Sequence, residues 1–151
     1  MAYLNLLAAV DPEQVTHLRG DHGFRLAPSK VVGVSHLLGN PGWVTHPPLV
    51  SVLAEVLDGG EWLAGSLWHP LRVPKYHPPG AVAVLASRLD EVWRATLAGR
   101  PLPDDDWYRI EIEKVIAVLR HAAALVEGVA SVLQPPFDQE RACRVVNPLA
   151  S

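Results

Sequence analysis

The 151-residue chain is 49% hydrophobic and 19% charged, with 13 basic against 16 acidic side chains and a net charge of -3. That balance fits one globular domain over residues 1–151, able to bury roughly 70% of its unfolded surface without staples, and lies outside the low-hydrophobicity regime of disorder. It excludes the basic footprint behind non-specific nucleic-acid binding, and the lone Cys143 excludes an internal disulfide or a multi-cysteine zinc site.

The opening "MAYLNLLAAVDPEQ" has no basic segment before its apolar run and meets Asp-Pro at once, so it is not read as a signal peptide. No stretch reaches about 18 uninterrupted apolar residues, so no membrane span is expected and the default address is the cytoplasm. "AYLNLLAAV" is an apolar run of strand length. "DPEQ" then supplies Asp11 as N-cap, Pro12 at the first helical position and Gln14 as capping-box partner for a short helix ending by Gly20.

"SKVVGVSHLLG" carries branched residues that suit a strand, yet Val31, Val34 or Ser35, and Leu38 also fit helical spacing, and helix is the favoured reading. A helix from about Pro48 to Leu57 buries Leu49, Val52, Leu53 and Val56 and is stopped by "DGG". The proline-rich "LWHPLRVPKYHPPG" is expected to be an ordered, extended connection, because Pro70, Pro74, Pro78 and Pro79 fix φ at four positions. Out of it grows a helix with Val82, Leu85, Leu89, Val92 or Trp93, and Leu97 on its stripe.

The acids Asp104 to Asp106 supply an N-cap and match the positive end of a helix dipole. The following run predicts one long C-terminal helix over about 105–134. Tyr108, Ile112, Val115, Leu119, Ala122, Val126, Val129 and Leu133 form its buried stripe, with Arg109, Glu113, Arg120, Glu127 and Ser131 opposite. "PPFD" ends the run and "ACRVV" reads as a short last strand.

Seven histidines invite a metal hypothesis, but no HxxxH, HxH or HxxE spacing brings two donors together, so no metal is expected. No GxSxG, GxGxxG or GxxxxGK[ST] occurs, which leaves no sequence-local nucleophile and no phosphate cradle, and no cofactor is expected. Trp43, Trp62 and Trp68 lie in Gly/Pro-rich connections, where an aromatic can line a pocket or lid a core edge. In the extended run, Arg72, Pro74 and Tyr76 share one face. If Val73 faces the core, Arg72 and Tyr76 project outwards together as contacts for a partner beside His36.

In order along the chain, "VDPEQVTHLR", then Lys30 six residues before His36 with Leu37 and Leu38, then Pro48-Leu49, then Lys75-Tyr76 leading through Pro79 into a helix, form a recognisable series. By these words the sequence resembles the YfbM-like family of small bacterial proteins of unknown function. It departs from that pattern at Val32, where the family usually has tryptophan, and at Gly39-Asn40, where a threonine-glycine is shortened. The resemblance implies an α+β fold with a small, mainly antiparallel sheet covered by about four helices, and no known reaction. The expected function is binding of an unidentified protein or small ligand, with Trp68, Arg72, Tyr76 and His36 as contacts. The alternative is a small hydrolase or transferase with a histidine base in a pocket near His36, Lys30 and Tyr76. Convergence of those side chains would separate the two.

Overall fold

The structure, a computed structural model, describes residues 4–18, 28–35, 38, 47–62 and 75–134. Among the described residues the expected α+β architecture is present: five antiparallel strands in the order β2-β1-β5-β4-β3, with four helices. In chain order these are β1 (Leu4–Val10), α1 (Pro12–Leu18), β2 (Lys30–Ser35), α2 (Pro47–Asp58), β3 (Glu61–Trp62), β4 (Lys75–His77), α3 (Pro79–Gly99), α4 (Trp107–Ala124) and β5 (Gly128–Gln134). Among the described residues no helix is long and apolar enough to cross a membrane.

The first strand reads as a continuous apolar run because both of its faces are covered. Leu7 and Ala9 turn to the face on which α2, α3 and α4 pack, while Leu6, Ala8 and Val10 on the other face are buried as well. It also has neighbours on both edges, β2 on one side and β5 on the other. The core on the helical face joins Leu7, Ala9, Val34 and Val129 of the sheet to Leu49, Val52, Leu53 and Val56 of α2, Leu85 and Leu89 of α3, and Ile112, Val115 and Leu119 of α4. Each such side chain, fully removed from water, contributes about 1.5–3 kcal/mol.

Helix starts follow the sequence signals. Asp11 Oδ1 accepts from the Glu13 amide at 2.9 Å, and Asp106 Oδ1 accepts from the Arg109 amide at 3.0 Å. Pro78 sits extended at the N-cap of α3, with Pro79 as its first residue, where a missing N–H costs nothing.

Two sequence expectations are corrected. "KVVGVS" is the strand β2, not a helix. Helical spacing among its valines was real, but one edge of β1 needs a hydrogen-bonded partner, and a run of branched residues fits a pleated strand best.

The long C-terminal helix is likewise divided: α4 ends at Ala124 and residues 128–134 form β5, a central strand of the sheet. Val129 is buried as expected, but as a strand residue, and Ser131, expected on a solvated helix face, is buried too. The helix stops in a Schellman motif, with the Glu127 amide donating to the Ala122 carbonyl at 2.8 Å and the Val126 amide to the Ala123 carbonyl at 3.2 Å. The residue in the left-handed position is Val126, at φ 55°. Glycine normally marks this stop, and a β-branched residue there carries about 1–2 kcal/mol of steric cost. Val126 is 69% exposed and contributes little burial to offset it. Val126→Gly is therefore expected to raise the unfolding free energy by about 1 kcal/mol in urea denaturation; a loss of stability would show that the valine makes a contact worth more than its strain.

Candidate functional site

Most buried polar side chains of the described sheet serve one purpose. The last carbonyls of α2 point at the sheet, and an uncapped helix end buried there would leave acceptors without donors. Asn5 Nδ2 donates to the Leu57 carbonyl at 3.2 Å, and Ser131 Oγ donates to the same oxygen at 2.8 Å. His77 Nε2 lies 2.9 Å from the Glu55 carbonyl, and since a carbonyl only accepts, Nε2 carries the hydrogen. Lys75 Nζ reaches the Asp58 carbonyl and, at 2.9 Å, the Asp58 carboxylate. Three strands thus cap one helix, with a cation at the negative end of its dipole.

The residues nominated from sequence are distributed as follows. His36, Trp68 and Arg72 lie outside the described residues, as do Trp43 and the "ACRVV" segment. Lys30 opens β2, opposite Ala9; Ala9 is opposite Val129, and Val129 is opposite His77. Lys30 therefore shares a row with His77, while Tyr76, one residue earlier, turns to the other face of the sheet. Three inter-strand spacings, roughly 14 Å, separate that row's ends. Lys30 and Tyr76 do not meet.

The outward projection expected for Tyr76 is also corrected. Its side chain is 3% exposed, and its ring lies over Gly128, where any Cβ would fall far inside contact distance of the phenol. Pairing places Tyr76 opposite Ala130. The ring therefore leans along the diagonal to the glycine two residues away, which leaves room for it.

A different set of side chains does converge. Ser29 Oγ donates to Glu127 Oε1 in a short hydrogen bond, and His121 Nε2 lies 2.8 Å from the same Oγ. The Ser29 amide donates to the Ala9 carbonyl at 2.8 Å and fixes the backbone. Topology explains the meeting. Ala9 is flanked by Lys30 on one side and Val129 on the other, so the residue just before β2 and the residue just before β5 reach the same end of the sheet. α4 delivers His121 there from its last turn. Sequence spacing gave no hint of it, since the partners stand 92 and 98 positions apart.

The direction of these bonds decides what the cluster can do. A hydroxyl has one proton, and both oxygens near Ser29 Oγ, those of Glu127 and Ala9, are acceptors. With that proton on Glu127, the shorter of the two contacts, His121 Nε2 is the donor to Oγ, which is the tautomer with hydrogen on Nε2. A histidine that donates to a serine is not the base that takes its proton; in this arrangement the group that accepts the hydroxyl proton is the Glu127 carboxylate.

Beside the cluster, in the turn between α4 and β5, Leu125 and Val126 are 54% and 69% exposed. At the other end of α4, Trp107 and Ile110 are half exposed, and the Tyr108 ring meets Trp93 of α3 edge-on at 6.3 Å. Burial pushes the Tyr108 hydroxyl up to about 12. Among the described residues no group of three His, Cys, Asp or Glu side chains is placed to hold a metal ion.

No family model matches the sequence, and no curated protein matches it. Among solved structures, the chain is similar to the crystal structure of YfbM from Escherichia coli, a protein of unknown function, with a TM-score of 0.53 and 14% sequence identity over 86% of this chain and 99% of that one. At that identity the likeness is one of fold.

Proposed function

We propose that the chain is a cytoplasmic bacterial binding domain, a distant member of the YfbM-like family, that recognises a protein partner or a small ligand and leaves it chemically unchanged. The observation that carries this reading is the wiring of Ser29, His121 and Glu127: among the described residues this is where a hydroxyl, an imidazole and a carboxylate meet, and with the imidazole as donor the contacts tie the starts of β2 and β5 to the last turn of α4. Two further features favour contact over chemistry. Asn5, His77 and Ser131 are engaged with the carbonyls of α2. An exposed valine is kept in a strained conformation next to an exposed leucine, a pair of apolar side chains that a partner could cover. Family membership rests on the similarity of fold to YfbM together with the series of sequence words ending at Lys75-Tyr76 and Pro79. The single cysteine suits a reducing compartment.

The test has two arms. Chromogenic carboxylic esters and phosphate monoesters are incubated with the native protein and with Ser29→Ala, and release of the chromophore is expected to be equally slow with both. A compound set is then screened for ligands that raise the melting temperature without being consumed, as binding to the native state requires. Saturable turnover by the native protein that Ser29→Ala or His121→Ala removes would replace the binding reading with the hydrolase one.

A further inference from the structure

Among the described residues the strand β2 lies at an edge of the sheet, six residues long, with "KVVGVS" offering three valines and one charge. Such a strand is a template for pairing with a second copy of the same chain. The opposite edge, β3, avoids that hazard by being two residues long. β2 does not, and its protection comes from side chains of α4. Glu111 Oε2 accepts from the Ser35 amide at 3.0 Å, and Lys114 Nζ donates to the Gly33 carbonyl at 3.4 Å. Ser35 and Gly33, two residues apart, therefore turn these groups to the side away from β1. Glu111 and Lys114 are themselves paired at 2.7 Å, and Glu111 is 7% exposed. Further along the helix, His121 meets Ser29 at the strand's start. Positions 111, 114 and 121 share one helical stripe.

We infer that the Glu111–Lys114 pair occupies the outer edge of β2 in place of a neighbouring strand and so keeps the chain from pairing edge to edge with a second copy. The carboxylate supplies the acceptor, and the ammonium the donor, that a neighbour's backbone would bring. Neither can extend into a further strand. The geometry also uses the one sign of charge at each position that the backbone group requires, so reversing or deleting the pair frees both groups at once.

The experiment compares the native chain with Glu111→Ala/Lys114→Ala by sedimentation equilibrium across a concentration series from about 1 to 100 μM, with circular dichroism to confirm the fold. The native chain is expected to keep the monomer mass throughout, and the double variant to rise towards twice that mass or beyond. Adding Val31→Pro to the double variant, which places a proline on the same outer edge, is expected to return it to the monomer. Should the double variant fail to fold, Lys114→Ala carries the test by the same readout, since that side chain is 41% exposed and its removal leaves the Glu111 contact to Ser35. A folded variant that stays monomeric over the whole series, or self-association that Val31→Pro leaves unchanged, would overturn the inference.

Discussion

Leu119→Asp is expected to abolish cooperative folding. Leu119 is fully buried at the middle of the core, on the face of α4 that packs against the sheet and α3. An aspartate there loses the leucine's burial and places a carboxylate among apolar neighbours, which costs several kcal/mol unless the group is protonated. Native domains are stable by only about 5–15 kcal/mol. Loss of the near-ultraviolet circular dichroism signal and of a sharp thermal transition would be the observation. A soluble variant with a cooperative transition close to the native one would mean that α4 does not pack as described.

Gly128→Val is expected to destabilise the domain almost as severely, for a steric reason. β5 is the central strand, paired with β1 on one side and β4 on the other, so its backbone cannot retreat. A Cβ at 128 collides with the hydroxyl and ring of Tyr76, and Tyr76 is buried, so any shift of its ring displaces packed neighbours. Overpacking of this kind costs about 1–3 kcal/mol where neighbours can shift and more where they cannot. Urea denaturation of Gly128→Val is expected to give a loss of about 3 kcal/mol or more, partly restored by Tyr76→Leu in the same chain. Gly80→Ala is the control, since an added methyl there meets nothing within 4 Å. Equal stability of Gly128→Val and the native protein would contradict the packing of Tyr76 on β5.

Much of the fold was legible because local signals and tertiary demands agreed. Asp11-Pro12 and Asp106 start helices, and the stripe of α2 is buried through Leu49, Val52, Leu53 and Val56 as its spacing requires. Legibility failed where one pattern served two structures. Val126, Val129 and Leu133 continue the periodicity of α4, yet the backbone turns at a valine in the left-handed region, a position where only glycine or asparagine would have advertised a stop. "KVVGVS" matched both spacings, and only the need of β1 for a second neighbour decided between them.

The candidate site was less legible than the fold. Tyr76 stands out in the sequence for its chemistry and its extended setting, but alternation alone cannot say which side of a strand is covered, and here both are. Ser29, His121 and Glu127 have ordinary local contexts. Their meeting depends on β1 lying between β2 and β5, a relation that no spacing along the chain encodes.

With the Ser29 proton on Glu127, His121 donates to Ser29 Oγ and is not the base that would activate it. Long-range proton–nitrogen correlation spectra of the imidazole rings, assigned by comparison with His121→Gln, read this directly in the neutral form of the ring. The predicted result is the tautomer with hydrogen on Nε2, its signal shifting in Ser29→Ala as the hydrogen bond is lost. Hydrogen on Nδ1, with an unprotonated Nε2 accepting from Ser29, would contradict the account and make the serine a candidate nucleophile.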